Sequence, residues 1–145
     1  MLPQFYRDRY QEFFTSVVHL QQTVADDNPN PTLLRQSFEQ LQLLFQQQIL
    51  SLDSDLLDPS VMSRVQSFLT ELNKQMRLLS IDVTFLQASR QSATTQQRLA
   101  QIRSRIETLI SYCNALIDND SASVMGNGVP RQSYGNEVMG TKNYQ

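Results

Sequence analysis

An all-α fold, an antiparallel up-and-down bundle of about four helices followed by a disordered C-terminal tail, is what these 145 residues predict. The first reason is where glycine falls. All four glycines (Gly126, Gly128, Gly135 and Gly140) lie in the last twenty residues, and before Ser121 the prolines occur only at Pro3, Pro29, Pro31 and Pro59. These residue types cost most inside helices, so their confinement to junctions marks where helices begin and end. The second reason is apolar spacing by three and four residues in four separate stretches, which places the side chains on one face of a helix. The third is that strand-like alternation is absent from all four. The chain therefore divides into a helical bundle domain at 1–119 and a glycine- and asparagine-rich tail at 120–145.

The first helix carries Tyr6, Tyr10, Phe13, Val17, Leu20 and Val24 as its apolar stripe. Asn30–Pro31 opens the second: asparagine is a good N-cap, and proline suits the first helical position, where its missing N–H had no partner to lose. The stripe continues through Leu34, Phe38, Leu41 and Phe45. The linker "SLDSDLLDPS" then gathers Asp53, Asp55 and Asp58 ahead of Pro59. A calcium loop would need glycine at its sixth position and glutamate at its twelfth; counted from Asp53 these are Asp58 and Arg64. The three aspartates read instead as punctuation, with Asp58 capping the third helix and Asp53 and Asp55 solvated near its positive end.

The third helix is expected from Pro59 to about Ser89, roughly 45 Å at 1.5 Å per residue. Met62, Val65, Leu69, Leu72, Met76, Leu79, Val83 and Leu86 form its main stripe, and Leu78, Ile81 and Phe85 add a second apolar face, so the helix is expected to sit between neighbours. Thr94 with Gln97 fits a capping box for the fourth helix, whose stripe is Leu99, Ile102, Ile106, Leu109, Cys113 and Leu116. No glycine or proline precedes that start, which leaves a partly continuous third and fourth helix open. Short connections favour antiparallel neighbours. In the tail, "VMG" occurs at 124–126 and 138–140, but apolar groups are too sparse there for independent folding.

Charge is polarised along the chain. Residues 1–58 hold 3 basic and 8 acidic side chains, a balance of −5, whereas residues 59–119 hold 7 basic and 4 acidic, a balance of +3. Such a molecule favours oriented contact with a charged partner, without the basic excess of a general nucleic-acid binder. The single cysteine excludes an internal disulfide and a cysteine-based zinc site. Apolar runs of four residues or fewer cannot span a membrane, and the N-terminus has none of signal-peptide length, so a cytoplasmic protein is expected.

Catalytic groupings are not recognisable. His19, the one histidine, has no nucleophile in a recognisable setting, and one histidine cannot supply the paired Glu-x-x-His ligands of a di-iron bundle. No glycine loop is present to cradle phosphate. Cys113 continues the core stripe of the fourth helix and reads as a small buried hydrophobe. Asp82, between Ile81 and Val83, needs a donor if buried, and an arginine of the fourth helix is the expected one, in a structural ion pair. The candidate partner-binding residues are Arg90, Arg98 and Arg105. Arg98 and Arg105 share one side of the fourth helix and have no acid within reach on it, whereas Arg103 has Glu107 four residues on.

Three stretches carry a family resemblance: "LPQFYRDRYQEF", "FQQQILSLDSDLLDP" and "SFLTELNKQMRLLSIDVTFLQASRQSATTQQRL". Over about residues 1–118 the chain resembles the cyanobacterial heterocyst-frequency control protein PatD family. The resemblance implies a non-enzymatic cytoplasmic protein, without cofactor or metal, that helps set how often vegetative cells become heterocysts. It also implies binding to the tubulin-like division protein FtsZ and altered assembly of its filaments. No residue set is carried over from the family. Two other classes stay open from the residues: a DNA-binding transcriptional regulator, for which the fourth helix offers few basic readers, and a structural coiled-coil dimer, since the third stripe persists over three and a half heptads. The chain is accordingly expected as a monomer or homodimer that contacts protein rather than nucleic acid or membrane.

Overall fold

The computed structural model describes the backbone of residues 2–122 and the side chains through residue 118. Four helices run in order: α1 (Gln4–Thr23), α2 (Pro31–Leu44), α3 (Pro59–Ala88) and α4 (Ser92–Ala122). A π-helical turn, Phe45–Ile49, extends α2, and a short 3-10 turn, Ser54–Leu56, precedes α3. Among the described residues there is no strand, and the fold is the all-α bundle that the apolar spacing predicts. The helix α4 runs three residues past the expected domain end at 119; the disordered tail expected beyond it lies outside the described residues.

Cross-helix contacts show the direction of each helix. Thr23 meets Ser37 at 3.3 Å while the rings of Phe13 and Phe45 lie 5.3 Å apart, so α1 and α2 are antiparallel. Glu71 accepts a hydrogen bond from Tyr112 and Arg64 reaches the Ala115 carbonyl, while Asp82 meets Arg98, which makes α3 and α4 antiparallel. Gln87 donates to the Pro31 carbonyl, closing the ring between α3 and α2. The ring is uneven: α4 packs closely on α3 and α1, and α1 on α2, but α2 and α3 touch least.

The core is drawn mainly from the stripes read from the sequence, with Leu2, Ile49 and Leu57 added and with Met62, Leu69 and Leu86 only partly buried. Tyr10, Phe13, Leu20, Leu34, Leu41, Leu72, Leu79, Leu99, Ile102, Ile106 and Leu109 are all essentially inaccessible to solvent. Cys113 is buried among them, as expected of a small hydrophobe.

The helix starts follow the sequence in one case and depart from it in two. Asn30 caps α2, its side-chain oxygen accepting from the N–H groups of Thr32 at 2.9 Å and Leu33 at 3.1 Å. Asp58 does occupy the N-cap position of α3, but its side chain makes no capping bond. That start rests on Pro59, pre-set for helix, and on the Asp58 carbonyl, which accepts from Met62 N–H at 2.8 Å. Asp53, expected to be merely solvated, is the residue whose carboxylate caps: it accepts from Asp55 N–H at 2.9 Å and opens the 3-10 turn. The capping box at Thr94 is likewise displaced, because α4 already begins at Ser92 and Thr94 lies within its first turn. The chain turns extended at Ser89 (ψ 137°), which separates α3 from α4, and a 2.9 Å contact between the Ser89 and Thr95 hydroxyls ties the corner.

Candidate functional site

Asp82 is buried on the side of α3 that faces α4. A carboxylate there is costly unless paired, and two arginines supply the pairing. Arg105 Nε donates to Oδ2 at 3.0 Å and Arg98 Nη1 to Oδ1 at 3.3 Å. Their seven-residue spacing, two turns of α4, lets them grip the carboxylate from both sides. This is the structural ion pair expected for Asp82. It also corrects the picture of Arg98 and Arg105 as cations without a partner: the acid they lack on their own helix is provided by α3. Arg98 further lays its guanidinium 4.6 Å from the centre of the Phe85 ring.

Arg103 departs from expectation in the same way. Instead of pairing with Glu107 it donates from Nε to the Val24 carbonyl at 2.9 Å and from Nη2 to the Asp26 carbonyl at 2.8 Å. It thereby satisfies carbonyls at and beyond the end of α1 that no helical N–H reaches. Arg90 stands exposed in the α3–α4 turn, outside either helix.

The cations left without a partner sit on α3 and in the turn that follows it. Among the described residues Lys74, Arg77 and Arg90 make no ion pair or hydrogen bond, whereas each arginine of α4 is engaged. On a helical projection Lys74, Arg77, Leu78, Ile81 and Phe85 fall within an arc of about 100°, opposite the buried stripe. Leu78 is half-buried, and Ile81 and Phe85 are 49 % and 51 % exposed. The second apolar face of α3 therefore exists, but it is covered only at its edge, where Arg98 of α4 lies on Phe85. Phe5, Leu33, Leu43 and Leu56 are also exposed, but singly exposed apolar side chains are ordinary.

Beside that face, where α2 and α3 part, runs a groove of about 340 Å³. Phe45 and Met76, both buried, form its apolar floor; Leu50 and Ile81 stand on opposite rims. Its polar lining is Gln42, Gln46, Asn73, Arg77 and Ser80, with no carboxylate. The π turn shapes the α2 side: Leu50 N–H bonds to the Phe45 carbonyl, five residues back, at 2.9 Å. The extra residue per turn widens the helix beside the exposed Leu50, and such turns often occur at functional sites.

Elsewhere the chemistry is quiet. His19 is exposed on a shallow depression between α1 and α2 with Glu12, Thr15, Ser16, Gln40 and Leu44. Burial pushes the Cys113 thiol up to about 12, which keeps it protonated and unreactive at neutral pH. Burial also raises the hydroxyl of Tyr112, assisted by the charge of Glu71 and the hydrogen bond to it. Among the described residues no group of three or more His, Cys, Asp or Glu could hold a metal ion, and no helix is long and apolar enough to cross a membrane.

Compared with protein-family models, curated proteins and solved structures, the chain finds no match. The site must be read from its own residues. Sequence reasoning placed the docking cations on α4; the unpaired ones within a helix are Lys74 and Arg77 of α3. For Arg77 the signal was present, since no acid lies three or four residues away on α3; Lys74 has Glu71 three residues before it, which argues for a local pair that the structure does not form. The Arg77 signal was outweighed by the run of arginines on α4, whose partners lie on α3 and at the end of α1.

Proposed function

We propose that this protein is a non-enzymatic regulator that works by contact with another protein, in the setting of heterocyst frequency, with FtsZ as the partner and filament assembly as the property altered. The setting and the partner come from the resemblance to the PatD family. The observation that supports contact as the mode of action is the outer face of α3, where Ile81 and Phe85 are solvent-exposed beside the unpaired Lys74 and Arg77. An apolar patch of this kind with a charged rim is the usual mark of a protein-binding surface.

Sedimentation of polymerised FtsZ with and without this protein tests the reading. The expected result is recovery of the protein in the pellet together with a change in the amount of FtsZ sedimented. FtsZ pelleting unaltered, with the protein left in the supernatant, rules FtsZ out as the partner.

A further inference from the structure

We propose that the groove between the π turn of α2 and α3, together with the adjoining outer face of α3, is the docking site for an acidic amphipathic segment of the protein partner. This rests on the reading of the chain as a protein-contact regulator and adds the surface and the partner's chemistry.

Shape comes first. A helix face spanning Lys74 to Phe85 is about 17 Å long at 1.5 Å per residue, enough to accept three turns of a partner helix. Leu78, Ile81 and Phe85 present apolar surface along it, in the stepping that a helix-in-groove contact reads. The groove lies alongside at Ile81, and its floor of Phe45 and Met76 offers a recess for one anchoring apolar side chain between the rims Leu50 and Ile81. Interfaces concentrate their binding energy in such anchors.

Charge then selects the partner. None of the residues lining the groove is acidic, and Arg77 contributes a guanidinium with no ion pair of its own. Lys74 adds a second unpaired cation one turn earlier on the same face. Arg98, stacked on Phe85, keeps a 34 % exposed side chain at the far end of the patch while its charge is already met by Asp82. A basic occupant would meet Arg77 and Lys74 as like charges and would find no carboxylate in the groove lining. A segment with carboxylates flanking an apolar stripe would meet Arg77 and Lys74 as its own stripe covers Ile81 and Phe85. The amides of Gln42, Gln46 and Asn73 remain for polar contacts at the edge.

The test uses the full-length protein and two synthetic peptides of about 16 residues, roughly 24 Å as helices. Both carry the same leucine stripe; one is flanked by glutamates and the other by lysines. Fluorescence anisotropy at low salt is expected to show binding of the acidic peptide alone, weakened at about 0.5 M salt. The double variant Lys74→Glu/Arg77→Glu and the single variant Ile81→Ser should each weaken it by about tenfold or more. Arg9→Glu, a single charge reversal on α1, should leave it unaltered. All these positions are on the surface, and circular dichroism checks that the variants remain helical. Equal binding of both peptides, or binding indifferent to the α3 variants, overturns the proposal. So does self-association in sedimentation equilibrium that Ile81→Ser abolishes, because a second copy would then own the face. The same variants in the FtsZ sedimentation assay keep the two readings separate. If the acidic peptide binds as described but FtsZ does not retain the protein, the surface stands and the partner falls. If FtsZ retains the parent and the α3 variants equally, the partner stands and this surface is wrong.

Discussion

Asp82 shows how a single buried side chain organises its surroundings. Its carboxylate sits out of water and is met by Arg105 at 3.0 Å and Arg98 at 3.3 Å, both of which stay partly in contact with solvent. The arrangement is asymmetric, because the acid depends on the arginines more than they depend on it. Losing one arginine leaves the charge paired, and Arg98→Ala or Arg105→Ala should each cost about 1 kcal/mol. Losing both strands a buried carboxylate, and the double variant should cost about 3–5 kcal/mol, well beyond the sum of the singles. Urea denaturation of the four proteins measures this, and simple additivity would mean that water reaches Asp82. The Tyr6 hydroxyl presents the opposite case: it is buried and, among the described residues, has no hydrogen-bond partner. Tyr6→Phe should therefore be neutral or slightly stabilising in the same experiment, since it removes an unmet polar group and retains the ring. The Cys113 thiol adds a pH dependence. Its folded value is raised from 9.0 to about 12, so the folded chain keeps a proton that the unfolded chain releases. Its contribution is complete below about pH 9 and is lost as pH rises toward 12, which equilibrium unfolding across that window would detect.

At the scale of the elements, the helix starts separate what a cap residue can do from what it does here. Asn30 satisfies two N–H groups of α2, whereas the Asp58 side chain satisfies none of α3. Asn30→Ala should then lower stability by about 1 kcal/mol, and Asp58→Ala should remove only a weak interaction with the helix dipole, a few tenths of a kcal/mol by chemical denaturation. Equal losses would mean that Asp58 caps in solution. The contrast also marks the limit of legibility. The stripes from Tyr6 to Leu116 were readable because periodicity is local and every core residue in them obeys it. Which oxygen of Asp53 or Asp58 turns toward the backbone depends on a rotamer that residue type alone does not choose. Arg103 was misjudged for a related reason: the i,i+4 rule looks along one helix, while the Val24 and Asp26 carbonyls approach from the end of α1 and the loop beyond it. The second stripe of α3 was visible as Leu78, Ile81 and Phe85, but only the arrangement of neighbours tells whether it is covered.

For the whole molecule, the decisive feature is the unequal closure of the ring of helices. Buried apolar area binds α4 to α1 and α3, and aromatic packing of Phe13 on Phe45 binds α1 to α2. Between α2 and α3 the groove takes the place of a packed interface, and the π turn interrupts the regular hydrogen-bond ladder on its α2 side. Elements with few buried contacts and an irregular ladder open at lower free energy than the global transition. Amide hydrogen exchange under native conditions should therefore rank the chain: slowest in the centres of α3 and α4, faster in α2, and faster still through Phe45–Ile49 and the linker to Pro59. The difference should be large, because α3 and α4 share core stripes along most of their length and open only with the whole fold. An occupant of the groove would close this side and slow exchange in Phe45–Leu50 and along the outer amides of Arg77–Ile81, leaving α1 unaltered. Uniform protection across α2, the π turn and α3 in the free protein would mean that the seam is as tightly packed as the others. The groove would then be a fixed surface feature, without the conformational latitude that the looser side of the ring gives it.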